Sequence, residues 1–508
     1  MFEKILLIVI FFAITIGIGI YCRKKATNVG DFVLGSRNVG PWLTAFAYGT
    51  SYFSAVVFVG YAGQFGWSFG ISAFWIGIGN ALVGSLLAWL VLGRRTRIMS
   101  KHFDASTMPE FFAKRYDSKA IKVVASVIIF IFLTPYTASV YKGLSGLFAM
   151  AFGIDFTYCV IGMAIITAIY VVVGGYMATA INDFIQGIIM IVGIFLIIGA
   201  ILSKNGGLLS SIVELSKIPC ENPVGMQGAY ASLFGPDPVG LISVFILTSI
   251  GTWGLPQMVH KFYAINNEKS IKTGTVISTV FALIIAGGSY FMGGFGRLFY
   301  TPAEGSAPLY DEIVPTMLSK TLPDILIGVV LILVLSASMS TLSSLVITSS
   351  STFVLDFLKG TIFKNMKSKT QVILLKSLCA VFIAVSVIIA LNPSNLISSL
   401  MSLSWGALAG AFLGPLLYGL FFKGATRASV YASFIVGIGV VLLNTIVPFA
   451  TPTVAGAISI VSSFFVVPLV SLVTPKLKKD VVDDAFSCYD VQVTVKKLAV
   501  LENEEEKK

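Results

Sequence analysis

The chain has 508 residues, of which 56% are hydrophobic and only 12% charged, against roughly 25% charged in soluble domains, and this excludes an ordinary cytosolic enzyme. Apolar runs recur from residue 5 to residue 474 with no polar block long enough for a separate soluble domain, so the chain reads as a polytopic membrane protein. The net charge of +11 fits nucleic acid, acidic lipid or membrane topology as its cause, and its distribution must decide among them.

A bilayer core of roughly 30 Å takes about 20 apolar residues per helix. The sequence predicts thirteen such helices, near 4–22, 40–66, 70–93, 121–150, 156–174, 180–203, 238–260, 270–296, 323–350, 371–391, 395–422, 428–448 and 453–474. The first is followed by Arg23, Lys24 and Lys25 with no small-residue cleavage site before them, so it reads as a retained helix with its N-terminus outside. The second, GPWLTAFAYGTSYFSAVVFVG, carries Gly49, Thr50 and Ser51 at mid-membrane. The fourth holds Lys142, outward of its middle, which either meets an anionic solute or snorkels to the outer interface.

Asp183 opens the sixth segment after the Gly174–Gly175 pair. It fits either an interfacial helix cap or a functional intramembrane acid. The seventh, TSIGTWGLPQMVHKF, places Gly251, Gly254 and Pro256 at mid-membrane. In the ninth, eleven of the seventeen residues from Ser336 to Thr352 are Ser or Thr. Ala337, Ser340, Thr341 and Ser344 fall at i, i+3, i+4 and i+7, with Ser343 adjoining, so one helix face carries a ladder of oxygens. Such neutral oxygens suit a hard monovalent cation, and small residues equally suit close helix packing.

Segments two and seven are the first and sixth of a core in which five helices could recur inverted. Unwound backbone in a membrane needs a cavity to line, so paired broken helices point to a transporter binding site. Alternating inward and outward from the first helix, twenty-five Lys and Arg residues fall on the predicted inner side, among them Arg37, Arg94, Arg97, Arg115, Lys122, Lys261, Lys364 and Arg427. The outer side holds only Lys4, Lys204, Lys217, Arg297 and Lys320. The positive charge therefore sets orientation, N-terminus outside and C-terminus inside, and is no nucleic-acid patch. Residues 477–508 read as a solvated inner tail. The five cysteines, Cys22, Cys159, Cys220, Cys379 and Cys488, show no pairing or metal spacing, and the two histidines are too few for most hydrolytic sites.

At this point the residues resemble a known family, the sodium/solute symporters that include the bacterial sodium/proline and pantothenate carriers. DFVLGSRNVGPWLTAFAYGTSYFSA is similar to the family's opening stretch and GISAFWIGIGNALVGSLLAWLVLGRRTR to its second core helix. GGYMATAINDFIQ resembles its fifth-helix signature and SASMSTLSS its eighth. The resemblance runs from about residue 30 to about residue 420. It implies an all-α, leucine-transporter-type fold: an extra N-terminal helix (1–25), two inverted five-helix repeats (38–203 and 238–422), two C-terminal helices (426–476) and a cytoplasmic tail (477–508).

The resemblance further implies a principal sodium site from backbone carbonyls of Thr50, Phe53 and Ala337 and hydroxyls of Ser340 and Thr341. A second, found in some members, would use Asp183, Ser340, Ser343 and Ser344. One or two Na+ ions per cycle follow, with Asp183 as the single full counter-charge. On the solute side Ser54 and Tyr136 correspond to positions that contact solute in the proline carriers. Thr248 and Thr252, beside Trp253, stand where those carriers have an aromatic pair, and Tyr52 stands in place of an aspartate. Lys142 is the nearby cation, and Gln64, Trp75 and Asn80 line an outer vestibule or simply pack. The expectation is a non-enzymatic, sodium-coupled importer of a small polar organic solute, an amino acid or carboxylate, in a bacterial plasma membrane. Its partners are solute, Na+ and lipid, with neither nucleic acid nor an obligate protein. An uncoupled facilitator, a channel-like permease and a proton-coupled carrier of the same fold are the rivals.

Overall fold

In hydrocarbon a backbone can satisfy its polar groups only internally, and the described residues are helical almost throughout. The computed structural model describes residues 2–22, 29–37, 39–221, 225–363, 366–392 and 396–489. Arg23, Lys24, Lys25, Lys364 and the tail from residue 490 lie outside these.

The main helices are α1 Phe2–Cys22, α2 Pro41–Tyr52, α3 Val56–His102, α4 Met108–Arg115, α5 Lys119–Phe152, α6 Phe156–Lys204, α7 Pro238–Gly254 and α8 Pro256–Tyr263. After them come α9 Lys269–Gly293, α10 Tyr310–Thr321, α11 Asp324–Thr352, α12 Ser368–Ala390, α13 Ile397–Phe421, α14 Arg427–Ile446 and α15 Pro452–Val473. Among the described residues ten helices are long and apolar enough to cross a membrane, or eleven if the bent pair α7 and α8 is one span. The thirteen predicted segments all fall on helices, and the lower count has a local cause. Segment 40–66 straddles the break between α2 and α3, and 70–93 follows a further interruption within α3 at Gly70, where φ is 64° and ψ −141°, so that the two share one long apolar run. Segment 156–174 is mostly the short apolar stretch Phe156–Ile169, which ends before a kink. That kink is at Gly175, where φ 60° and ψ −165° interrupt α6. Only glycine takes that conformation without strain.

Both expected breaks are present. The first comes slightly later than Gly49–Ser51, which are helical. The chain leaves α2 at Phe53 (φ −117°, ψ 128°), and the Ala55 N–H that restarts it donates to Ser338 Oγ at 3.1 Å. The second is at Leu255 (φ −79°, ψ 123°), with Pro256 in the first turn of α8 and a bend of 44°. The second break packs on α13, and against the first lies α11, buried at every residue from 333 to 352. It packs on α1, α2, α5 and α6, while α13 carries α14 and α15 on its far side.

One end of the bundle gathers the predicted inner charges. Arg37 Nη2 donates to Ala105 O at 2.7 Å, Arg97 to Ile265 O and Asn266 O at 3.0 and 2.6 Å, and Val39 bridges to Ile265. Arg115, fully buried, donates to Gly419 O at 2.7 Å and Phe422 O at 3.0 Å, filling orphan acceptors at the C-terminus of α13. The solvated-tail expectation needs correction here. Residues 479–489 are helical, Phe486 is buried and lies 5.1 Å from the Arg115 guanidinium. Lys423, just past the end of α13, lies 5.5 Å from the same ring. Arg115→Ala is expected to lower stability by about 2–3 kcal/mol, read as a lower melting temperature in detergent. A melt unchanged from the parent would show that the cap contributes nothing. The opposite end is tied by Arg297, which donates to Trp67 O at 2.8 Å and pairs with Glu221 at 2.8 Å. None of the five cysteines forms a disulfide among the described residues.

Candidate functional site

A helix that stops inside the bundle leaves its last carbonyls without i+4 partners. At the end of α2 these oxygens meet α11. Thr341 Oγ1 lies 3.4 Å from each of Thr50 O, Ser51 O and Phe53 O and 3.1 Å from Ala337 O. Ser340 Oγ donates to Thr50 Oγ1 at 2.8 Å, which in turn donates to Phe46 O at 2.7 Å. A hydroxyl has one proton, so four carbonyl oxygens surround a single donor. The cluster is fully buried, rich in lone pairs and poor in hydrogens, and its donor chemistry fits a hard cation. All five residues expected of the principal sodium site thus meet at one place. The Ser51 carbonyl joins them.

The four residues expected of a second site differ in their surroundings. Ser343 Oγ donates back to Ser340 O at 2.8 Å, so its proton is spent inside α11. Ser344 Oγ hydrogen-bonds Ser51 Oγ at 2.8 Å and accepts from Lys261 Nζ at 3.0 Å. Asp183 is fully buried, neither of its oxygens has a hydrogen-bond partner among the described residues, and Lys261 Nζ is 3.7 Å away. Two expectations are corrected by this. Lys261 does not lie in an inner loop as an orientation charge; it is 2% exposed, because α8 continues into the bundle past the Pro256 bend. Asp183, expected as the single full counter-charge for Na+, already has the Lys261 ammonium 3.7 Å away.

The solute candidates separate into two groups. Ser54, at the α2–α3 break, is buried beside the Tyr136 phenol. Tyr136 meets Trp405 of α13 edge to face, with centroids 5.7 Å apart, and Tyr52 lies 6.1 Å from the same indole. The Tyr136 hydroxyl and Trp405 Nε1 are buried with no hydrogen-bond partner among the described residues. Thr248 adjoins this cage through its carbonyl, which accepts from Tyr52 at 2.5 Å. Its own hydroxyl, however, is spent on Val244 O at 2.9 Å. Thr252 is spent on Ser249 O at 2.8 Å, and Trp253 Nε1 donates to Val83 O at 3.0 Å. Lys142 stands apart, half-buried, donating to Asn392 O at 3.3 Å and lining a cavity of about 300 Å³ with Asp311 and Glu312. Burial pushes the Asp311 carboxyl up, partly offset by the Ile397 N–H and by Lys142. Trp75 Nε1 donates to Leu233 O at 2.8 Å, and Asn80 accepts from Ser249 Oγ at 3.1 Å. Trp405 was not anticipated, since a tryptophan in an apolar helix reads as packing. Its unpartnered indole N–H appears only in three dimensions.

Two broken helices, a buried oxygen cluster and a polar aromatic cage at one level of an all-helical bundle define a multi-pass membrane transporter. The chain belongs to the sodium:solute symporter family, whose model matches residues 32–437, and that membership supports Na+-coupled solute symport. It is 31% identical over 492 residues to the sodium/proline symporters of Staphylococcus aureus strains JH9 and JH1, covering 94% of this chain and 93% of theirs. Its fold is similar to a Na+-coupled sialic acid symporter solved substrate-bound and outward-open, with a TM-score of 0.76 and 18% identity, over 94% of this chain and 99% of that one.

Proposed function

We propose that the protein imports a small polar organic solute, an amino acid or carboxylate, together with Na+ by alternating access in a bacterial plasma membrane. The observation that carries this is the ring of carbonyl oxygens from Thr50, Ser51, Phe53 and Ala337 around the Thr341 hydroxyl. In this reading thirteen helices cross the bilayer with the N-terminus outside, and residues 38–203 and 238–422 form the two inverted repeats. Na+, as co-transported substrate, is held by Thr50, Phe53, Ala337, Ser340 and Thr341. It joins the break in α2 to α11 and so favours the state open to solute. Solute binds at Ser54, Tyr136 and Trp405, where unpartnered polar atoms sit among aromatic faces. Coupling is reciprocal, so Na+ raises solute affinity and solute raises Na+ affinity.

Proline is the first solute to test, given the sodium/proline relatives. Thr248 and Thr252 give their hydroxyls to backbone carbonyls, and Trp253 gives its indole to α3, so that side of the cage offers fewer free donors. A thermal-shift panel of amino acids, monocarboxylates and sugar acids, in sodium and in choline chloride, identifies the solute by mass action. Uptake of that solute into proteoliposomes should be concentrative with Na+ and collapse in choline or potassium. Equal uptake in all three salts would refute Na+ coupling and leave a facilitator or a proton-coupled carrier. Trp405→Phe, which removes the indole N–H and keeps an aromatic ring, is expected to raise KM for that solute about 5- to 20-fold. Na+ binding without solute should stay unchanged. A parental KM would place the solute elsewhere.

A further inference from the structure

A membrane interior makes an unpaired charge costly, so a buried lysine beside a buried aspartate needs a reason. Lys261 and Asp183 are 2% and 0% exposed. The ammonium is 3.7 Å from Asp183 Oδ2, donates to Ser344 Oγ at 3.0 Å and lies 5.2 Å from the centre of the Tyr176 ring. Ser344 is bonded in turn to Ser51 of α2 at 2.8 Å. The groups gathered around Nζ, a carboxylate and a serine hydroxyl at the edge of the hydroxyl ladder, are those a second Na+ would need.

We propose that the Lys261 ammonium is a tethered cation that takes the place of a second sodium ion, so that this chain binds one Na+ and not two. The inference rests on the Na+ reading of the α2–α11 cluster. Three features support it. One carboxylate can neutralise one positive charge, and Lys261 already supplies it. A Na+ held by Asp183 and Ser344 would stand about 4 Å from the ammonium, and at an effective dielectric near 20 that repulsion weakens binding on the order of a thousandfold. The serine such an ion would share, Ser344, already accepts from the ammonium at 3.0 Å and is bonded to Ser51 Oγ at 2.8 Å. A free ion enters and leaves with each cycle, whereas this charge is fixed to α8. The charge moved per solute is therefore limited to what the principal site carries, while α6, α8 and α11 remain electrostatically joined.

The test is equilibrium binding of radiolabelled Na+, without solute, to the purified full-length protein, counted per chain. One ion is expected for the parent, two for Lys261→Ala, and one again for Asp183→Asn/Lys261→Ala, where the carboxylate that would hold the second ion is gone. Lys261→Arg, which keeps the charge, should bind one. Two ions in the parent, or one in Lys261→Ala, would overturn the proposal. If Lys261→Ala does not fold, the parent and Lys261→Arg still decide it by their counts. No Na+ bound to the parent is a distinct result, which removes the symport reading itself.

Discussion

Thr341→Val is expected to raise the Na+ concentration needed for half-maximal uptake about 10- to 100-fold. Valine keeps the shape of threonine and removes only the hydroxyl, so packing against α2 is preserved. Lost with it is a side-chain oxygen that lies 3.4 Å from each of Thr50 O, Ser51 O and Phe53 O. Removing one partner of a buried polar group costs about 1–3 kcal/mol, which corresponds to the fold-change given. The measurement is the melting temperature of purified protein in sodium against choline chloride, followed by uptake over a sodium series. The parent should melt higher in sodium, Thr341→Val should lose that difference, and Thr341→Ser should recover most of it. Ser343→Ala is the control, because its hydroxyl donates to the Ser340 carbonyl, outside the ring of oxygens around Thr341. An unaltered sodium shift in Thr341→Val would place the ion elsewhere.

The oxygen cluster was legible because helical spacing is a local property. Ala337, Ser340, Thr341 and Ser344 must share a face if the segment is helical, and the Ser/Thr content marks that face as unusual. The position of the break was less legible. Gly49 reads as a helix breaker, yet it is helical, and a Cβ there would come 2.6 Å from the Phe281 ring. It is a glycine because α9 approaches closely. Lys261 reads as an orientation charge because the apolar window ends at residue 260 and a lysine just beyond a span counts as one. Its partner Asp183 lies on another helix, distant in sequence. The same limit applies to Asp356, whose oxygens meet Thr107 Oγ1 at 2.5 Å and Lys122 at 3.0 Å. Local pattern finds helices and their faces, and it cannot find charges that are satisfied across the bundle.

Asp183→Asn is expected to destabilise the protein by about 3–5 kcal/mol, the range for breaking a buried ion pair by removing one partner. Asparagine preserves volume and a carbonyl oxygen, so the loss reports charge and not packing. Lys261, at 2% exposure, cannot reach solvent, and its remaining acceptor, Ser344 Oγ, is neutral. Replacing both partners by apolar residues, Asp183→Leu/Lys261→Met, should recover most of the stability, because no buried charge is left. The double-mutant cycle then gives the pair's coupling as the departure from additivity. Melting curves in one detergent at fixed sodium supply all four corners. Sodium counts on the folded fraction separate the two roles open to Asp183. If it pairs with Lys261, Asp183→Asn lowers the melting temperature and leaves the number of bound Na+ at the parent's value. If it holds an ion, the count falls by one, and sodium no longer protects the variant as strongly as it protects the parent.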